Sequence, residues 1–355
     1  MTILDLPSLT LALHEYLANS EITPLFITGD AQDVLRSFPD HSIDCCITSP
    51  PYWGKRYYDT PGIGNESTLT EYINHLLAVC IEVRRVLKPS GSFWLNLGDT
   101  YHQKSLAGIP WRVALRLMDE QGWLLRNDVI WHKVKGGLDT TRDRLRNVHE
   151  YFFHFVKTAN GYYYNIDAIR HRPRSAKIVD GAVVSATGVR GVRYRRQIEL
   201  STALNEQEKE QALRELERML QQLQNGAISD FRMIIRGQQR PTHSDSTRVS
   251  GRARELQERG FYFLVYHPQG SKPGDVWDIL PEDTQARHPH FAPYPTDICR
   301  IPILATCPPS GIVLDPFCGT GTTMLVAQEL DRKSIGIDIS PTYIQLAEER
   351  CRRLL

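Results

Sequence analysis

GIVLDPFCGTGTTMLVAQEL, residues 311–330, is the stretch that decides the fold. An apolar run from Ile312 to Leu314 ends in Asp315-Pro316-Phe317, Gly319-x-Gly321 follows, and a helical pattern begins. Glycines at such a corner let the backbone approach a ligand closely, and the start of the helix presents oriented N–H groups. A second strand-like run, KSIGIDIS, ends in Asp338. An acidic residue at the end of the next strand suits a pair of ribose hydroxyls. The full G-x-G-x-x-G fingerprint of nicotinamide binding is not met, because Met324 stands in the third glycine's place. No G-x-x-x-x-G-K-[ST] occurs, so a nucleotide triphosphatase has no support.

Outward from this corner, seven stretches read as strands from β-branched or aromatic enrichment between turn residues: 25–28, 43–47, 92–97, 128–132, 151–156, 311–314 and 334–337. Helical patterns lie between them. Residues 69–87 carry apolar side chains at three- and four-residue spacing and stop at Lys88-Pro89-Ser90-Gly91. Shorter patterns cover 111–121 and 323–330, and a last helix over 341–353 has Ser340 as N-cap and Pro341 at its first position. This alternation predicts an α/β fold with a mostly parallel sheet.

Between about 165 and 260 the alternation is lost. Residues 201–224 read as one helix with Leu213, Leu216, Leu220 and Leu223 as a narrow seam, and 236–254, rich in Arg and Ser, reads as a loop. The expected organisation is therefore 1–164 and 271–355 as two halves of one catalytic domain, with 165–270 as an insert. From 170 to 260 there are 16 Arg and 2 Lys against 11 Asp and Glu, in a chain of 355 residues with a net charge of only +1. Such a surplus suits contact with a phosphate backbone, and equally a solvated insert; charge alone does not choose.

Composition is otherwise ordinary for a soluble protein, 41% apolar and 23% charged, and no apolar run has the length of a membrane span. The stretch MTILDLPSLTLALHEYL lacks the basic start of a signal peptide, so a cytoplasmic location is expected. None of the seven cysteines forms C-x-x-C or pairs with a His at zinc-ligand spacing, which predicts reduced core thiols and no metal site.

A second stretch, ITSPPYWGKRYY at 47–58, follows the strand 43–47. Two consecutive prolines have no backbone N–H and fix φ, so they end the ladder in a rigid, donor-free turn. Alone, Ser-Pro-Pro is usually just a turn. Likewise Asp30 and Asp99 alone read as loop carboxylates, and Trp53 and Trp131 as packing residues.

The two stretches together resemble the S-adenosylmethionine-dependent amino-group DNA methyltransferases. Asp315-Pro-Phe-x-Gly-Thr-Gly-Thr with Asp338 resembles motifs I and II. Thr48-Ser49-Pro50-Pro51-Tyr52 resembles motif IV in its Ser-Pro-Pro-Tyr form. Gly29-Asp30 resembles motif III, and Leu95-Asn-Leu-Gly-Asp99 resembles the strand of motifs V and VI. NDVIWHK through RNVHEYFFHFVK resembles the motif VIII region, and HPHFAPYPTDICRIPI at 288–303 resembles motif X. Motif IV precedes the insert, and X and I follow it, which matches the circularly permuted β group. The resemblance implies a Rossmann-like, seven-stranded methyltransferase sheet, with the insert as a target-recognition subdomain.

It also implies chemistry. Ser49 and Pro50, stiffened by Pro51, would accept hydrogen bonds from an exocyclic amine, and Tyr52 would stack on a base flipped out of the duplex. For the cofactor, S-adenosyl-L-methionine, the resemblance points to Asp30 at the adenine amine and Asp338 at the ribose. Phe317 would offer a ring face to the sulfonium. Asp315, Gly319, Gly321 and Thr322 belong to the glycine corner, and Thr296 and Tyr294 to the methionine end. Lys55, Arg56, Arg190, Arg193, Arg195, Arg196 and Arg236 are the candidate DNA contacts.

Several functions compete. Cytosine C5 methylation needs a Pro-Cys thiolate, and no such dipeptide occurs. Protein glutamine methylation goes with Asn-Pro-Pro-Tyr, against which the Ser and the basic insert argue. Ser in the first position favours cytosine N4 over adenine N6. A DNA-binding protein that has lost catalysis is the reading from another class. Double-stranded DNA is the expected partner, with a cognate restriction endonuclease and either a monomer or a homodimer left open.

Overall fold

The computed structural model describes residues 6–54, 62–134, 140–171, 176–184, 192–237, 251–281 and 295–352. The chain separates into two compact units: Met1–Ala168 with Gly274–Leu355, and Ile169–Pro273.

The first unit is built on eight strands. Their order is Leu25–Thr28, Lys333–Asp338, Ile312–Asp315, Ile43–Thr48, Leu87–Leu97, His149–Val156, Leu124–His132 and Val276–Asp278. His149–Val156 is antiparallel to both neighbours, and every other neighbouring pair is parallel. All seven expected strands are present. The eighth, Val276–Asp278, is three residues long, too short to show alternation; it forms by pairing with Ile130–His132 of its neighbour.

Ile43–Thr48 is buried at all six positions. Because strand side chains alternate, Cys46 and Leu314 face one apolar cluster, shared with helices Ala31–Arg36, Leu69–Val86 and Ile109–Gln121. Cys45, Ile47 and Val313 face a second, shared with helices Thr296–Thr306 and Thr322–Glu329. Cover on both faces is what a parallel sheet requires. All seven cysteines are free and buried.

Local chemistry sets the helix ends. Thr68 and Glu71 form a reciprocal cap at the start of Leu69–Val86. No turn follows that helix. Residues 88–91, which read as a terminator, instead form the irregular opening of Leu87–Leu97, where the register with Ile43–Thr48 shifts. Ser340 Oγ accepts from the Tyr343 N–H at 3.4 Å, with Pro341 opening the last helix, Pro341–Arg352. An N-terminal helix, Leu6–Ala18, had no place among the expected elements. Lys333 secures its end, donating to the carbonyls of Tyr16 and Asn19, while Tyr16 donates to the Ser334 carbonyl at 2.9 Å.

The second unit has its own core. Helix Glu206–Gln224 begins five residues later than its apolar seam suggests, because Asn205 and Glu208 make the reciprocal cap. Ala212, Leu216, Met219 and Leu223 are its buried stripe. They pack in one cluster with the antiparallel pair Asp230–Ile235 and Phe261–Tyr266. Helix Gly251–Arg259 occupies the end of the expected loop. No helix among the described residues is long and apolar enough to cross a membrane.

Candidate active site

In a parallel sheet the carboxyl ends of the strands share one edge. Here that edge carries Thr28, Thr48, Leu97, Asp315 and Asp338, each followed by a loop. The glycine corner starts from Asp315, which is fully buried. Its carboxylate accepts from Thr323 Oγ1 at 2.7 Å and from the Phe317 N–H at 3.1 Å. Asp315 therefore holds the loop from beneath. Gly319 (φ 51°) and Gly321 (φ 78°) both adopt the left-handed conformation that the turn needs. At Gly321 a Cβ would also lie 2.9 Å from that of Ala347.

Asp338 closes the corner. It accepts from the Gly319 N–H at 2.9 Å and the Ser340 N–H at 2.8 Å. Burial pushes its carboxyl up to about 6 against the pull of those two donors. A largely buried carboxylate at a strand end, a half-buried Phe317 ring and glycines with no side chains suit an adenosyl sulfonium: a diol for the acid and a cation for the π face.

The proline corner lies on the adjacent strand. Tyr72 donates its hydroxyl proton to the Pro51 carbonyl at 2.9 Å, which pins the turn from behind. Ser49 Oγ is 3.2 Å from Tyr52 Oη. Tyr52 Oη in turn donates to Glu150 Oε2 at 2.7 Å and lies 3.3 Å from Asn96 Oδ1. Burial and the Glu150 charge hold the Tyr52 phenol well above its ordinary range. Trp53 is buried, and its indole N–H goes to the Glu66 carbonyl at 2.9 Å, so it packs.

These two corners meet. Leu314 is the register partner of Cys46, and Thr48 Oγ1 donates to Asp315 Oδ1 at 2.6 Å. Tyr52 and Phe317 pack against the same apolar cluster.

Other expected site residues are placed as follows. Asp30 caps helix Ala31–Arg36, accepting from the N–H groups of Gln32 and Asp33 at 2.9 and 3.1 Å. Asp99 accepts from the N–H groups of Thr100, Gly108 and Ile109, which caps helix Ile109–Gln121 in place of a Gly108 side chain. Thr322 opens its helix and accepts from Arg350 at 2.9 Å. Thr296 opens helix Thr296–Thr306. Lys55, Arg56, Arg190 and Tyr294 lie outside the described residues.

In the second unit, Arg193 and Arg196 are exposed and line a cavity of about 600 Å³ together with Arg236 and Ser201. Arg195 pairs with Glu217 at 2.9 Å. Arg236 is held inside the unit by Glu208 at 2.6 Å and by the Leu256 and Gln257 carbonyls at 3.3 Å. Among the described residues, no group of His, Cys, Asp and Glu could hold a metal ion.

Sequence reasoning missed Glu150, Lys133, Asn96 and Tyr72. Glu150 opens the aromatic strand HEYFFHFV, and nothing in that stretch ties its carboxylate to Tyr52.

Comparison with known proteins bears on the family and the fold. Residues 43–349 match the N6_N4_Mtase family, described as DNA methylase. The chain is 30% identical to the type II methyltransferase M.SfiI of Streptomyces fimbriatus, over 89% of this chain and 88% of that protein. It is 29% identical to M.SmaI of Serratia marcescens, over 92% and 90%. Its fold is similar to that of the PvuII DNA methyltransferase (cytosine-N4-specific), with a TM-score of 0.54 at 18% identity over 94% and 91% of the two chains. It is also similar to that of TTHA0409 from Thermus thermophilus, solved with S-adenosyl-L-methionine, with a TM-score of 0.50 at 20% identity over 93% of each chain.

Proposed function

Because the chain belongs to the DNA methylase family, we propose that it moves a methyl group from S-adenosyl-L-methionine to the N4 amine of a flipped-out cytosine at a specific DNA site. The observation that carries this reading is the 2.6 Å bond from Thr48 to Asp315, which joins the proline corner to the glycine corner. S-adenosyl-L-methionine supplies an electrophilic methyl group on a sulfonium.

The chain's residues do the rest. An exocyclic amine is a weak nucleophile because its lone pair is delocalised into the ring. Ser49 Oγ and the Pro50 carbonyl accept its two N–H groups out of the ring plane, which favours a pyramidal nitrogen with a localised lone pair. The Pro51 carbonyl is committed to Tyr72, so the turn keeps its shape while they do so. The Tyr52 ring stacks on the base; Phe317, Asp338 and Asp30 would hold the cofactor by its sulfonium, its ribose hydroxyls and its adenine amine. Ser49, in place of a carboxylate, favours cytosine over adenine.

Exposed arginines of the second unit, Arg193 and Arg196 foremost, contact the phosphate backbone there. A cognate restriction endonuclease as partner and the cytoplasm as place of action belong to the same reading, and the likeness to type II methyltransferases supports them. Nucleoside mass spectrometry of DNA incubated with the protein and S-adenosyl-L-methionine tests this. N4-methylcytosine is the expected product, N6-methyladenine would replace the base, and no methylated nucleoside would overturn methyl transfer.

A further inference from the structure

We propose that Glu150 is a positioning residue that, acting through Tyr52, fixes Ser49 as a hydrogen-bond acceptor toward the target amine. The proposal rests on the methyl-transfer reading above. It follows from counting protons.

Tyr52 has one hydroxyl proton, and among the described residues Glu150 Oε2 at 2.7 Å and Asn96 Oδ1 at 3.3 Å are acceptors within its reach. Asn96 is oriented by its own Nδ2, which donates to the Tyr151 carbonyl at 3.1 Å, so its oxygen faces Tyr52. A carboxylate at the shorter distance is the stronger acceptor, and it takes the proton. The third neighbour of Tyr52 Oη is Ser49 Oγ at 3.2 Å. With the Tyr52 proton committed to Glu150, that contact exists as a hydrogen bond only if Ser49 donates. A hydroxyl has one proton and two lone pairs. Once its proton points to Tyr52, both lone pairs of Ser49 remain for N–H donors, and an amine presents only N–H groups to such a site.

The surroundings keep Glu150 in this role. Its side chain is 8% exposed and forms an ion pair with Lys133, whose ammonium also lies 4.9 Å from the centre of the Trp131 ring. A buried carboxylate keeps its charge only when so paired. Gly98 makes room: a Cβ there would lie 2.6 Å from Tyr52 Cε2 and 3.2 Å from Glu150 Oε1. Replace the carboxylate by an amide, and its NH2 can donate to Tyr52. Tyr52 can then donate to Ser49, and the Ser49 proton turns toward the amine, donor against donor.

The test is single-turnover transfer of tritiated methyl from S-adenosyl-L-methionine to bacterial genomic DNA by the full-length protein. Glu150→Gln is expected to slow the step about 10- to 100-fold. S-adenosylhomocysteine affinity should stay within about twofold, since the cofactor residues are untouched. Tyr52→Phe, which leaves the Glu150–Lys133 pair in place, should cause a similar loss. Adding Glu150→Gln to Tyr52→Phe should cost less than about twofold more, because the signal passes through the missing hydroxyl. A wild-type rate in Glu150→Gln, or a double variant whose losses multiply, overturns the proposal. Should Glu150→Gln fail to bind S-adenosylhomocysteine, Tyr52→Phe decides alone: wild-type speed overturns the proposal and a tenfold loss supports it. If the wild-type protein transfers no label, the methyl-transfer reading falls, and this proposal with it.

Discussion

Thr48 Oγ1 and Asp315 Oδ1 lie 2.6 Å apart, although 267 residues separate them in the chain. Asp315 is fully buried and accepts from Thr48, Thr323 and the Phe317 N–H together. Thr48→Val keeps the shape and removes one donor. It should cost about 1–3 kcal/mol, read as a lower urea midpoint. Asp315→Leu removes the buried acceptor that Thr48, Thr323 and the Phe317 N–H share, and should cost about 3–5 kcal/mol in the same measurement.

Asp338 gives a pH signature. Its carboxyl sits at about 6 in the folded chain, above the ordinary carboxylate value near 4. The folded state therefore binds this proton more tightly than the unfolded chain does. The contribution to stability is complete at low pH and is lost as pH rises through about 6. Ligand binding runs the other way, because the carboxylate is the better acceptor for ribose hydroxyls. S-adenosylhomocysteine affinity, measured by calorimetry, should fall about tenfold from pH 7 to pH 5. In Asp338→Asn that dependence should vanish.

Gly321→Ala adds a methyl group where φ is 78° and Ala347 is 2.9 Å away. Strain and overlap together should lower stability by about 1–3 kcal/mol. S-adenosylhomocysteine binding should weaken as helix Pro341–Arg352 is pushed off the corner. Thermal melting with and without that ligand reads both effects.

The arginines of the second unit should divide into two kinds. Arg193→Ala and Arg196→Ala should weaken DNA binding and flatten its salt dependence by about one unit of slope each, at unchanged melting temperature. Arg236→Ala should instead lower the melting temperature. It breaks the 2.6 Å ion pair with half-buried Glu208 and removes a donor from the Leu256 carbonyl, which keeps the Gly260 N–H at the end of helix Gly251–Arg259. Fluorescence anisotropy over a salt series separates the two.

The two corners were legible in sequence because each is local. A strand, a turn residue that fixes φ and a helix start fall within a dozen residues, and backbone chemistry is read directly there. What escaped has no such local signature. Val276–Asp278 is a strand only because Leu124–His132 offers an edge. Helix Gly251–Arg259 has no apolar face to read; it is laced by Arg254–Glu258 and Arg259–Glu255 pairs one turn apart. Tyr52 and Glu150 stand 98 residues apart, so nothing near Ser-Pro-Pro-Tyr announces the carboxylate that orients it.

The distance along the chain between the two central strands has a consequence for biosynthesis. Ile43–Thr48 leaves the ribosome with one flank bare, and the segment that covers it, Ile312–Asp315, is translated about 260 residues later. At about 5–20 residues per second, that apolar edge waits on the order of tens of seconds, in the company of other nascent chains. Such an unpaired edge invites wrong partners until the glycine corner arrives. Chaperone capture of the half-made chain, and aggregation when synthesis stalls within the insert, are the expected costs of joining the sheet's centre so late.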